Sequence, residues 1–270
     1  MKFSIILSNA GSCSDRYMSC GYSPSFTTKQ LFSRVGKLTG VDGVELIGGW
    51  NVTKDNAENI AAELKRLGYP AVAIIPDHFG RPEWGKGAFT NPDEAVRRAA
   101  VQETLDMAEA ARVIGCDLIS IWNGQDGFDY LFQADYDKAW DWLVKGIREC
   151  ADRAPDIRFS VEYKPKEPRT HSFVSNVYST LALCADVDRK NVGVTIDTGH
   201  AATAYENLAS AAVAAMKKNK LFHLHINDNY GLWDDDMITG SVHTVEYIEL
   251  FWWLKRLGYD NYVSIDQYPY

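Results

Sequence analysis

Residues 192–226 read VGVTIDTGHAATAYENLASAAVAAMKKNKLFHLHI. The stretch opens on a β-branched run at 192–197, continues through 208–218 with alanine and leucine at helical periods, and closes on a second apolar run at 221–226. Two short apolar runs around a helix-length segment predict a strand–helix–strand crossover, the connection that parallel strands require. Working outward, the same alternation recurs. Further strand-like runs fall at 3–7, 43–46, 71–75, 117–122, 158–163 and 262–266. Helical spacing fills 55–68, 93–115, 136–154, 173–185 and 244–258. In 136–154, Tyr136, Trp140, Leu143 and Ile147 share one face at steps of four, three and four.

Eight strands alternating with helices predict a parallel α/β sheet. At 270 residues the usual solution is closure into a (β/α)8 TIM barrel. The alternative is an open doubly wound sheet, which normally carries G-x-G-x-x-G after an early strand. Here that turn is NAGSCSDR, residues 9–16, and lacks the motif. No low-complexity linker divides the chain, so 1–270 reads as a single barrel domain. The last strand run ends just before Tyr270. The expectation is therefore a barrel lacking its eighth helix, with the seam covered by a loop or a partner chain unless the sequence is cut there.

Composition narrows the function. The formal net charge is −8, which disfavours a phosphate backbone as partner. Lys217, Lys218 and Lys220 cluster, but on a surface helix face. No apolar run approaches the roughly 20 residues needed to span a membrane. The apolar stretch in MKFSIILSNAG is too short for a signal peptide and reads as the first strand. Five scattered cysteines without C-x-x-C predict no disulfide framework and a cytoplasmic setting.

Catalytic groups of such barrels sit at the C-terminal ends of strands. Those ends read SVEYKPKEPR (160–169), TIDTGH (195–200), FHLHINDN (222–229) and SIDQYP (264–269). They supply Glu162, Asp197, His225 and Asp266. His223 shares a strand face with His225 but lies deeper, so it is expected to pack behind it. A lone strand-end aspartate usually caps a helix, but four ligand-type groups at equivalent positions are poorly explained as caps. Three carboxylates and one imidazole form a hard site suited to Mn2+, Mg2+ or Co2+, with Zn2+ as an alternative. Beyond them, His200 and the loop NDNYGLWDDDMITGS (227–241) bring Asp234 and Asp236 as candidates for a second ion. Read alone, that loop is better explained as a solvated acidic one. Lys164 shares a face with Glu162 and is a candidate donor to a substrate hydroxyl, whereas Lys166 is expected at the surface. Trp122 is a candidate wall for a sugar's apolar face or a core aromatic. Gln125 and Asp126 are candidate hydroxyl ligands, and His78 and Arg81 candidate rim residues.

These motifs resemble the xylose isomerase-like barrel superfamily of sugar isomerases and epimerases. HLHINDNYGLWDDDMITGS, residues 223–241, is similar to the strand-seven segment of L-rhamnose isomerases, and Glu162–Lys164 and Asp197–His200 to their E-x-K and D-x-x-H. The resemblance implies a first metal on Glu162, Asp197, His225 and Asp266. It implies a second, catalytic metal on His200, Asp234 and Asp236. On that resemblance Glu162, Lys164, His200 and Asp234 are the candidate catalytic residues, and Lys164 and His200 join Trp122 and Gln125 as candidate substrate contacts. The resemblance covers strands five to eight; the first half agrees only in architecture. Aspartate at 266, where tagatose-type epimerases usually carry glutamate, favours metal-assisted aldose–ketose isomerisation over epimerisation.

Three alternatives share the frame. The same site suits a sugar epimerase, or the carbon–carbon lyase subunit for C-glycosides that works with a small partner subunit. An endonuclease IV-like enzyme would need a basic groove and more histidines than the six present. A non-catalytic sugar binder would show damaged ligands. The expected partner is a small unphosphorylated sugar, with homo-oligomerisation common for such barrels.

Overall fold

A computed structural model describes residues 1–14, 18–166 and 170–268. Eight parallel strands close a barrel: β1 (Lys2–Ile6), β2 (Gly43–Ile47), β3 (Ala71–Ile75), β4 (Leu118–Trp122), β5 (Arg158–Glu162), β6 (Val192–Asp197), β7 (Leu221–Ile226) and β8 (Tyr262–Ile265). Neighbours in sequence are neighbours in space, and β8 returns to β1 through Lys2↔Tyr262 to Ile5↔Ile265. Around it run α1 (Thr28–Val35), α2 (Ala57–Leu67), α3 (Glu94–Ile114), α4 (Tyr136–Arg153), α5 (Val177–Val187), the short α6 (Thr198–Thr203), α7 (Leu208–Lys217) and α8 (Thr244–Arg256). Among the described residues, Asp266–Tyr268 after β8 form no helix.

Local chemistry sets the helix ends. Asp93, Asp135, Asn176 and Asn207 each accept a backbone N–H of the first turn of α3, α4, α5 and α7, caps worth about 1 kcal/mol apiece. Gly68 and Gly115 end α2 and α3 in left-handed conformations, at φ 76° and 83°, where a Cβ would be strained. The structure differs from the sequence reading in places, and α6 spans Thr198–Thr203 where that reading has a loop. α1 has no counterpart in that reading, although the Thr27/Gln30 capping box marks its start. α5 begins at Val177 rather than 173 because the Asn176/Ser179 capping box starts it there.

Strand alternation splits the interior into two environments. One set of side chains packs against the helices, with Ile119, Phe159, Val161, Val194, Leu224 and Val263 all buried. The other fills the barrel and is polar. Ser120 and Ser160 bond to Thr195 Oγ1 at 2.9 and 2.6 Å, and Glu45 and His223 are also wholly buried. Strand register then aligns the strand ends that carry the candidate ligands, pairing Trp122 with Glu162 and Asp197 with His225. Lys166 is exposed. No helix among the described residues is long and apolar enough to cross a membrane.

Candidate metal centre

The strand ends converge. Glu162, Asp197, His225 and Asp266 place one ligand atom each within 4.8 Å of one another. His225 Nδ1 lies 3.1 Å from Glu162 Oε2 and 3.6 Å from Asp266 Oδ2. Such separations match the roughly 3 Å edges of an octahedral shell around a small divalent ion. A second set, Asp197, His200 and Asp234, meets the same 4.8 Å criterion and shares Asp197 with the first. His200 Nδ1 stands 3.3 Å from Glu162 Oε1, and its Nε2 3.1 Å from Asp234 Oδ2.

Side chains around the site hold it in shape. Asp197 ends β6 and caps α6 by accepting the His200 N–H at 2.9 Å, which ties His200 to the strand end. The acidic loop is drawn back over the barrel by a two-way backbone pairing of Asp228 with Met237, at 2.9 and 2.8 Å. Asp228 also accepts from Val242 N, His243 N and His243 Nδ1. Lys164 Nζ donates to Asp234 Oδ2 at 2.7 Å and sits 5.3 Å from the centre of the Trp122 ring.

Electrostatics follow from burying so much charge. Burial alone would lower the His200 imidazole, but Asp197 and Asp234 outweigh it and hold it up at about 9. Burial alone would raise Asp234, yet Lys164 and His200 hold it below the usual carboxylate range. Asp266 is pushed up to about 7, by burial first and then by Asp197, Glu162 and Asp234, against the opposing His225. His200 Nδ1, His225 Nδ1 and Asp234 Oδ1 are buried with no hydrogen-bond partner in the protein. Buried ligand-type atoms without a partner, His225 Nδ1 in the first set and His200 and Asp234 in the second, fit divalent cations.

The site floors a cavity of about 420 Å3. Trp50, Phe79, Trp122 and Trp233 supply aromatic walls, and Asp235, Asp236 and Tyr268 also line it. Phe79 meets Trp122 edge-on at 4.6 Å, and Trp50 is fixed by its Nε1 donating to Asp77 Oδ2 at 3.0 Å.

Other candidates have different surroundings. Asp236 lines the cavity but stands outside both ligand sets; its residue has φ 48° and its carbonyl accepts from Tyr268 N. Asp126 points away, accepting from Ala88 N, Thr90 N and Thr90 Oγ1 to clamp a loop. Gln125 does not line the cavity; its amide donates to Phe79 O at 3.3 Å. His78 is not at the rim but 1% exposed, edge-on to Trp84 and Phe89. Arg81 pairs at the surface with Glu83 and Glu103. Conversely, Glu45 contacts both His223 and His225, and the sequence reading passed over it. Its signal was a lone carboxylate inside the apolar run GVELI.

A family model described as xylose isomerase-like TIM barrel matches residues 34–269. The chain belongs to that family. A xylose isomerase of Thermus thermophilus is 29% identical over 204 residues, covering 73% of this chain and 53% of that enzyme. One from Thermus caldophilus is 27% identical over the same share of each. The chain thus spans about half the length of these relatives. Among solved structures, a D-tagatose 3-epimerase-like protein superposes with TM-score 0.76 at 20% identity, covering 100% of this chain and 92% of that one. A 3-keto-D-glucoside 4-epimerase from E. coli gives 0.73 at 18%, covering 99% and 92%. A family 2 AP endonuclease from Brucella melitensis gives 0.74 at 20%, covering 99% and 93%. At such identities these likenesses establish the xylose isomerase-like fold alone.

Proposed function

We propose that this member of the xylose isomerase-like family is a divalent-metal-dependent sugar isomerase that interconverts an aldose and a ketose. The observation that carries the reading is Asp197, a wholly buried carboxylate common to both ligand sets. A hard cation on Glu162, Asp197, His225 and Asp266, and a second on Asp197, His200 and Asp234, would polarise adjacent sugar oxygens and lower the cost of charge on them. Mn2+, Mg2+ and Co2+ suit this donor set better than Zn2+.

The chain's own groups do the rest. Trp122 offers its ring to the apolar face of the sugar, with Phe79 packed against it. Lys164 and His200 orient substrate hydroxyls and keep Asp234 ionised. In the aldose-to-ketose direction a water oriented by Asp234 takes the O2 proton and passes it to O1 while hydride moves from C2 to C1 with its electron pair, so atoms and charge balance. The aromatic walls limit water at the reacting carbons. The lining is acidic, with Glu162, Asp234, Asp235, Asp236 and Asp266 against Lys164. Lys164 is the one lysine or arginine among the described lining residues, which argues for an unphosphorylated sugar, and the formal net charge of −8 argues against DNA. Epimerisation is the runner-up, supported by the two carboxylates, Glu162 and Asp266, flanking His225.

The test is metal analysis followed by an aldose/ketose screen with the bound ion, with product identity separating isomerisation from epimerisation. Glu162→Gln or His225→Ala should lose metal and turnover together. Undiminished turnover in metal-stripped protein refutes the reading.

A further inference from the structure

Beneath the metal centre lies a second buried cluster, made of Glu45 on β2 with His223 and His225 on β7. His223 Nε2 lies 2.6 Å from Glu45 Oε1, and His225 Nε2 lies 3.1 Å from Glu45 Oε2. All three residues are at most 1% exposed. The two imidazoles meet edge-on at 5.0 Å, so the one carboxylate spans both.

We propose that Glu45 is a positioning residue that turns His225 so that its Nδ1 lone pair faces the metal centre. The inference rests on the metal reading above. A carboxylate only accepts hydrogen bonds, so each Nε2 facing Glu45 carries the hydrogen. For His225 the remaining ring nitrogen is Nδ1, the atom near Glu162 and Asp266. A carboxylate behind a ligating histidine fixes both its ring orientation and which nitrogen is free, and raises its basicity as a ligand. His223 takes the second oxygen of Glu45 and so prevents that carboxylate from rotating away from His225.

Glu45, His223 and His225 also place one ligand atom each within 4.8 Å of one another, but with His223 and Glu45 in direct hydrogen-bond contact at 2.6 Å the group is read as the support of His225 and not as a third metal position. This explains why both oxygens of a wholly buried carboxylate are consumed by imidazoles while His225 Nδ1 has no hydrogen-bond partner.

Two measurements test the proposal. In 15N-labelled wild-type protein loaded with Zn2+, long-range nitrogen–proton spectra should show His225 and His223 with hydrogen on Nε2. Mn2+ binding to Glu45→Gln, followed by electron paramagnetic resonance of the free ion, should be about 10–100-fold weaker than wild type. Glutamine has one acceptor oxygen for two N–H donors, so one ring must turn or change tautomer. A melting curve of the metal-free variant checks that it folds; if it does not, the wild-type spectrum decides alone. Hydrogen on His225 Nδ1 in the loaded protein, or equal Mn2+ affinity in folded Glu45→Gln, overturns the proposal while leaving the metal reading intact. Wild-type protein that binds no metal removes both.

Discussion

The Asn227 side-chain amide donates to Asp197 Oδ2 at 2.7 Å, and Gly199 leaves it the room to do so. A Cβ at position 199 would stand 1.9 Å from Asn227 Oδ1 and 2.9 Å from Asn229 Nδ2. Glycine is required here for space and not for an unusual torsion. Gly199→Ala should therefore push Asn227 off Asp197, costing about 1–3 kcal/mol of stability and weakening metal binding roughly tenfold or more. Calorimetry and Mn2+ titration of the variant check this; unchanged affinity would sever the link from Gly199 to the metal centre.

Lys164 touches Asp234 but belongs to neither ligand set. Lys164→Met keeps much of the side-chain volume and removes the cation. The expected result is a fall in kcat of about 100-fold or more, with the first metal position still loaded. Steady-state kinetics together with metal stoichiometry separate this from collapse of the site.

Asp126 is a buried carboxylate whose Oδ1 accepts from Ala88 N, Thr90 N and Thr90 Oγ1, and its expected duty is structural. Burial raises its carboxyl above the usual range against the donors from Thr90 and Ala88. Asp126→Ala strands those donors in the interior and should cost about 3 kcal/mol. Thermal unfolding should shift down while the folded protein keeps its full metal content. Loss of substrate binding without loss of stability would return Asp126 to the sugar site.

His78 sets a pH response unrelated to the metal. Burial, with Arg81 adding to it, pushes its imidazole down to about 3, whereas the unfolded chain has an ordinary value of roughly 6.5. Below that value the unfolded state binds a proton that the folded state refuses. Stability therefore falls as pH drops from about 6.5 towards 3, by up to about 1.4 kcal/mol per pH unit. His78→Phe retains the packing with Trp84 and Phe89, and Thr104 Oγ1 still bonds Ala100 O. Melting temperatures at pH 7.5 and 4.5 should differ less in this variant than in wild type; an equal difference would place the acid sensitivity elsewhere.

The strands were legible because each is a short apolar run. Glu162, Asp197 and His225 were legible because they end such runs, where a barrel turns side chains into its mouth. Elsewhere position was a weaker guide. Asp126 and His78 also follow strands, but one is consumed by loop amides and the other by aromatic packing. The stretch Asp234, Asp235, Asp236 does not reveal which carboxylate reaches His200, because the pairing of Asp228 with Met237 decides how the loop folds back. Glu45 was hidden in the opposite way, as one polar residue in a strand that is buried along its whole length.

By itself the sequence determined the alternation of strands and helices and the kinds of side chain at the strand ends, since periodicity and capping act over a few residues. Tertiary structure decided which groups share a centre. His225 meets Glu45 from 180 positions away in the chain, and only the register of a closed barrel and the folding of its loops set such distances.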